Sequence, residues 1–429
     1  MKLSIEKMVY GGDGLAHLPP DDSGRGKTAF VPFVLPAEEI EAAPIEEKPS
    51  FIRARAEKIL TPSPQRTEPP CPYFLRCGGC HYQHTSYEHQ LQIKSQILRE
   101  TLLRTAKIDW EDGIPIHSAA PLHYRNRTRM KVQHAPFAIG YYRFNSHDLL
   151  PVEQCPISSP LIDRAIAAVW KVGKTGALAD SIAEIEFFAN AQDDELLIEI
   201  YLATKGNDSL LERSAAQFLK SMRGEAPALS GVAAFFQGPT GKTFGYEGAD
   251  SLQYSTSVAE FRVSAGSFFQ VNRFLIDDLV KVATGGASGR LAWDLYAGVG
   301  LFSGALAKEF ERVIAVEAGV ASADDLKQNA PRSVKAIHST TEAFLIRKGK
   351  RPTPDFILAD PPRAGLGQST AKQLAGSAAG QIAYVSCDPA TLARDLRVLL
   401  DAGYKLDQLH LFDLFPQTFH IETVARLSR

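Results

Sequence analysis

The stretch LAWDLYAGVGLFSGALAKEF, residues 291–310, decides the fold. An apolar run ends at Asp294, Gly298 and Gly300 supply a turn, and a helical pattern begins near Leu301. Strand, glycine turn and helix in this order form the first unit of a doubly wound parallel sheet. Working outward, RVIAVEA, FILAD and IAYVS read as further buried strands, and ADDLKQNA, AKQLAGSA and TLARDLRVLLDAG as the helices between them. That alternation predicts an α/β domain whose ligands lie at the carboxyl edge of the strands. Glu317 ends the second strand, where a carboxylate can accept hydrogen bonds from ribose hydroxyls. The third glycine of the dinucleotide fingerprint is absent, Ser303 standing beyond Leu301 and Phe302. A cofactor without a pyrophosphate, such as S-adenosylmethionine, therefore suits the turn better than NAD, although a glycine pair alone equally suits a plain strand-to-helix turn.

Upstream, KTAFVPFVL, EEIEAAPI and SFIRARAEKIL are short alternating runs separated by turns at YGGDG and at residues 21 to 26, a spacing that predicts a small β-barrel. TPSPQRTEPP, residues 61–70, reads as a linker, and a helix is expected from Tyr87 to about Lys107. The 429 residues are 45% hydrophobic and 22% charged, which describes a globular chain of several domains. No apolar run reaches the ~18 residues of a membrane span. A cytoplasmic protein with no membrane partner, acting as a monomer, is expected. The net charge of −2 decides nothing about nucleic acid, so any such partner must be read from local patches.

The five cysteines divide into four and one. Cys71, Cys77 and Cys80 crowd into CPYFLRCGGC and Cys155 follows in EQCPI, a grouping that in a reducing compartment points to a metal or iron-sulfur site. The spacing also suits tetrahedral zinc, while Pro72 and Pro156 directly after two of the thiols favour iron and sulfur. The run typical of radical enzymes is missing. Cys387, in SCDPATLARD after the strand IAYVS, is a candidate nucleophile, and Asp360 opens DPPRAG after FILAD at the same edge. In the strand-like FHIETVARL, His420 and Glu422 flank Ile421 as an inward polar pair.

Taken together, CGGC with Gln83 and His84, SFFQVN at 267–272, DLYAGVG, VEA, DPPRAG, SCDPATLARD and HIETV resemble the S-adenosylmethionine-dependent RNA uracil-5 methyltransferases, which modify tRNA or large-subunit ribosomal RNA. The resemblance spans essentially the whole chain. It implies a TRAM or OB-like RNA-binding β-barrel over 1–60, a central iron-sulfur α+β domain over 61–260 and a Rossmann-like class I methyltransferase domain over 261–429. It further implies Cys387 as nucleophile and Glu422 as base, with Gln270, Tyr296, Glu317 and Asp360 touching S-adenosylmethionine. Cys71, Cys77, Cys80 and Cys155 would hold a [4Fe-4S] cluster. Leu301 departs from members that carry Asn there, and is left out of the site.

Uracil C5 is too weak a nucleophile to take a methyl group unaided. A thiolate adding to C6 makes C5 enolate-like, and a carboxylate must later remove the C5 proton before the thiolate leaves. Ribosomal RNA is placed ahead of tRNA as substrate, with the target base flipped or in a loop. Arg125, Arg127, Arg129 and Lys131 alternate in HYRNRTRMKVQH without interleaved acids, and a shared strand face of four cations predicts a phosphate contact. Tyr141, Tyr142 and Arg143 offer stacking surfaces. The competing readings are a catalytically silent RNA-binding or assembly factor and an RNA cytosine-5 methyltransferase.

Overall fold

The computed structural model describes residues 1–19, 26–238, 244–346 and 352–429; the turn expected at 21 to 26 lies, apart from Gly26, outside them. Among the described residues the first sheet has six strands: Lys2–Ser4, Lys7–Met8, Asp13–His17, Thr28–Pro32, Glu39–Glu47 and Phe51–Thr61. The opening segment pairs with Glu39–Glu47 through its first half and with Asp13–His17 through its second, which are opposite edges of the sheet. Around the switch, Ile5 N–H donates to Glu38 O and Glu6 N–H to Leu15 O. One segment thus bonds both edges and closes the sheet into a barrel, whose core is Leu3, Ile5, Val31, Ile40, Ile52 and their neighbours. The Pro-rich segment is not a free linker. The fully buried Glu38 carboxylate accepts from Leu35 N–H, Ser63 N–H and the Arg66 guanidinium, fastening residues 63–66 to the barrel.

Next comes a seven-stranded sheet ordered Leu149–Pro151, Phe137–Tyr142, Arg127–His134, Ile182–Ala189, Leu196–Leu202, Leu229–Phe236 and Gly245–Gly248. Its pairs are antiparallel apart from Leu196–Leu202 with Leu229–Phe236. Helices Pro160–Lys174 and Asp208–Met222 contribute Ile162, Ile166, Val169, Ala215 and Phe218 to the core over it.

The last sheet is the predicted doubly wound one. Its order is Val334–His338, Phe310–Glu317, Gly289–Leu295, Phe356–Ala359, Gln381–Ser386, Glu422–Ser428, Lys405–Phe412 and Ile116–His117. The strands from Val334–His338 to Gln381–Ser386 are parallel, and Glu422–Ser428 is inserted antiparallel between two that precede it in the chain. Sequence alternation gave no sign of the outermost strand, which comes from far upstream. Helix Tyr87–Thr101, capped by Ser86, runs on into a π-helical turn at Leu102–Ala106. Its Ile93, Ile97 and Leu98 lie in one core with Leu392, Leu396 and Ile421, so this segment covers the C-terminal sheet although it precedes the central one.

Candidate active site and cysteine centre

Strand pairing brings the two predicted residues near each other. Ser386 is matched with Thr423 across the antiparallel pair Gln381–Ser386 and Glu422–Ser428. Cys387 and Glu422 are the next residues beyond that match, close enough for the Glu422 charge to act on the thiol. Burial pushes the Cys387 thiol up to about 12, with the Glu422 and Asp360 charges adding to it and Arg363 opposing. Glu422, only 5% exposed, is held well above the usual carboxylate range by burial and then by Asp360. Arg363, from DPPRAG, donates to Nε2 of His420 at 3.1 Å, and burial followed by that guanidinium drives His420 down to about 3, leaving it neutral. Asp388 caps helix Pro389–Asp401 by accepting from Ala390 and Thr391 N–H at 3.0 and 2.9 Å, which fixes the residue after the thiol.

Two members of this site carried no site assignment from the sequence. Arg363 lay inside a quoted motif, three residues after Asp360, and could have been found there. Tyr10 could not. The barrel delivers it across the fold so that its hydroxyl engages Asp388 and its ring meets Phe419 edge-on at 5.5 Å.

Beside this pair lies the expected cofactor edge. Gly298 and Gly300 take φ of +56° and +97°, the left-handed region that glycine enters without strain, so the chain turns sharply off strand Gly289–Leu295. The Glu317 carboxylate accepts from Gly298 N–H at 2.8 Å and Gly319 N–H at 2.6 Å, and so braces the turn. Gln270 Nε2 reaches Asp360 Oδ2 at 3.4 Å. Tyr296, itself at φ +62°, turns its hydroxyl to Glu342 at 3.0 Å. Asp294 joins the set: Ser303 Oγ donates to its Oδ2, while its buried Oδ1 has no partner. Burial lifts Asp294 and Asp360 each to about 7, and each carboxyl sits in the other's neighbourhood, since the Asp294 charge contributes to the Asp360 rise. Buried acceptors with an orphan oxygen fit a ligand that brings hydrogen-bond donors and positive charge, as S-adenosylmethionine does.

The four clustered cysteines do meet. Cys71, Cys77, Cys80 and Cys155 line one cavity together with Gln83, Arg125 and Tyr141. Cys71 N–H donates to Gln83 Oε1 at 3.1 Å and Cys155 N–H to Asp163 Oδ1 at 2.7 Å. Burial raises the Cys71 and Cys80 thiols and takes Cys77 to about 11, with Cys155 adding to each. Four such thiols ionise together only beside compensating positive charge. Half-buried Arg125, its Nε unpaired, lies near them and supplies one such charge; thiolates are also the donors that a bound metal centre takes. Among the described residues no three His, Cys, Asp or Glu side chains group as a single metal ion requires.

Arg125 is therefore no phosphate contact, and the remaining cations of its strand are also engaged. Lys131 and Arg129 lie opposite Glu184 and Glu186 of Ile182–Ala189, and bond to them at 2.5 and 2.6 Å. Arg127 lies beside Glu186 and Glu199 at 3.3 and 3.5 Å. Acids absent from the strand itself arrive from its neighbours, so the predicted basic face is an ion-pair ladder, enclosed at Arg127 and open to solvent at Arg129 and Lys131. Tyr141 is half-buried against the central core with its hydroxyl 2.7 Å from Thr128 Oγ1, while Tyr142 is 37% exposed.

A doubly wound sheet that gathers a thiol, a buried carboxyl and a glycine turn at its carboxyl edge is the architecture of a class I methyltransferase. A family model described as tRNA (Uracil-5-)-methyltransferase matches residues 86–429, beginning at the cap of helix Tyr87–Thr101. The chain belongs to this family, the S-adenosylmethionine-dependent enzymes that methylate C5 of uracil in RNA. It is 32% identical to an uncharacterized RNA methyltransferase of Aquifex aeolicus, over 100% of this chain and 98% of that one. It is 30% identical to the 23S rRNA (uracil(1939)-C(5))-methyltransferase RlmD of Pectobacterium atrosepticum, over 96% and 92%. The solved tRNA (uracil-54, C5)-methyltransferase of Pyrococcus abyssi, in complex with S-adenosyl-L-homocysteine, shares the fold with a TM-score of 0.75, 21% identity and full coverage of both chains. Among the described residues no helix is long and apolar enough to cross a membrane.

Proposed function

We propose that this protein methylates C5 of a uridine in ribosomal RNA through a covalent adduct between Cys387 Sγ and C6. The observation that supports the reading is the closeness of Cys387 to Glu422, just beyond the matched residues Ser386 and Thr423. S-adenosylmethionine supplies the methyl group, and Gln270, Tyr296, Glu317 and Asp360 are the residues assigned to hold it. Cys387 adds to C6 as thiolate, with the C5=C6 electron pair moving to C5; C5 would then take the methyl group from the sulfonium, with S-adenosylhomocysteine as the leaving group. Glu422 accepts the C5 proton, the C5=C6 bond re-forms and the C6–S bond breaks to free the thiolate. A carboxyl raised above its usual range is a stronger base than an exposed one, which suits this step. Ribosomal RNA is preferred to tRNA because relatives of full-length similarity are named for 23S rRNA.

The expected outcome is that Cys387→Ala abolishes turnover and Glu422→Gln accumulates a protein–RNA adduct on denaturing gels. Normal turnover by Glu422→Gln would remove the base assignment. The division of labour that follows is an RNA-binding TRAM-like barrel over 1–60, a cysteine-centred region over 61–260, except that Tyr87–His117 packs on the last sheet, and the methyltransferase over 261–429, acting as a cytoplasmic monomer. Cys71, Cys77, Cys80 and Cys155 are assigned to a structural [4Fe-4S] cluster. Supporting it over zinc are the two Cys-Pro steps, Cys71-Pro72 and Cys155-Pro156. Iron and zinc analysis of anaerobically purified protein tests this, and stoichiometric zinc without iron would overturn it.

A further inference from the structure

Between the strand Lys405–Phe412 and the strand that begins at Glu422 runs the segment 413–421, which is gripped from residues 81–94 and Tyr124 at several points. Gln417 is the centre. It sits at φ +69°, a left-handed conformation that strains a non-glycine residue and persists only where surroundings over-determine it. Its carbonyl accepts from His81 N–H at 2.7 Å and Tyr82 N–H at 3.0 Å. Its side-chain Oε1 accepts from Gln90 Nε2 at 3.0 Å, and its own N–H donates to Gln90 Oε1 at 3.2 Å. All four bonds come from one short segment, residues 81–90. The Gln90 side chain is 1% exposed and carries two of them, one in each direction.

The same segment's helix continues the grip. Lys94 is fully buried and bonds Asp413 Oδ1 at 2.6 Å and Phe415 O at 3.0 Å. Tyr124, the neighbour of Arg125, donates to Pro416 O at 3.1 Å. Ring contacts close the far side, His81 meeting Phe419 at 4.7 Å and Phe415 meeting His420 at 5.4 Å. His81 directly follows Cys80. The segment thus links the cysteine centre to the residues that introduce Glu422.

We propose that residues 81–94 are the positioning device of the catalytic base, with Gln90 holding Gln417 in its left-handed turn so that Glu422 faces Cys387. This rests on the reading of Glu422 as base and adds the residues that aim it. Gln90 touches neither substrate nor cofactor. Its loss leaves thiol addition intact and slows the step that needs Glu422 in register.

The test compares full-length wild type, Gln90→Leu and Glu422→Gln on an unmodified 23S rRNA transcript with S-adenosylmethionine, following the covalent species on denaturing gels. A second transcript carrying 5-fluorouridine reports addition alone, because fluorine at C5 does not leave as a proton would. Gln90→Leu is expected to form the fluorinated adduct at the wild-type rate with unchanged KM. It is expected to resolve the natural adduct about 10²-fold more slowly, the scale of a 1 Å misplacement. Adding Gln417→Gly to Gln90→Leu is expected to restore resolution, since glycine adopts the turn without being clamped. Wild-type resolution by Gln90→Leu alongside an arrested Glu422→Gln overturns this inference alone. Normal resolution by Glu422→Gln overturns the base assignment instead. If Gln90→Leu fails even to form the fluorinated adduct, Gln417→Ala and Gln417→Gly carry the comparison. Slow resolution by alanine and near-normal resolution by glycine are expected, and equal rates overturn the proposal.

Discussion

At the scale of single residues the site is a set of buried acids that have not yet met their counter-charge. Asp294 and Asp360 are lifted to about 7 from an ordinary 3.8, so the folded chain holds their protons more tightly than the unfolded one does. Stability from the protonated forms is complete below about pH 4 and lost as pH rises through about 7. Melting temperature of ligand-free protein is therefore expected to fall across that window, and Asp294→Asn to flatten the fall; a wild-type curve level from pH 4.5 to 7.5 would refute this. Cys387 and Asp360 were legible as candidates because each follows a recognisable buried strand. That Glu422 is opposite Cys387 was not, because periodicity carries no pairing register. Tyr10 left no trace at all, since only the docking of a separate barrel brings it to Asp388.

Elements show where sequence patterns mislead. Alternating Arg127, Arg129 and Lys131 predict a shared face, which the strand provides, but the partner of that face is protein. The opposing acids sit on Ile182–Ala189 and Leu196–Leu202, dozens of positions away, and no local pattern announces them. Arg127 is the most enclosed of the three, at 11% side-chain exposure, and its removal leaves the buried Glu199 without its cation. Arg127→Gln is expected to lower unfolding free energy by about 3–5 kcal/mol, as breaking an enclosed ion pair does. The salt dependence of RNA affinity should stay unchanged, because no phosphate contact is lost. Urea melts and filter binding at several salt concentrations measure the two. A reduced salt slope would return this strand to the RNA interface.

Across the whole molecule, the elements do not pack in the order in which the chain presents them. The doubly wound domain was legible because strand and helix alternate locally, whereas the segment from Tyr87 to His117 that covers it precedes the central sheet. The Lys94–Asp413 pair, with neither side chain exposed, joins these distant parts. Lys94→Met is expected to cost about 3–5 kcal/mol by stranding Asp413, and Lys94→Met with Asp413→Leu to recover much of it, as equilibrium denaturation would register. The insertion of Glu422–Ser428 between Gln381–Ser386 and Lys405–Phe412 has a consequence for refolding. In any partly folded state that lacks this strand, both flanking strands stand with open edges, and they cannot satisfy each other without excluding it. Misassociation during refolding should therefore concentrate in the interval before Glu422–Ser428 docks.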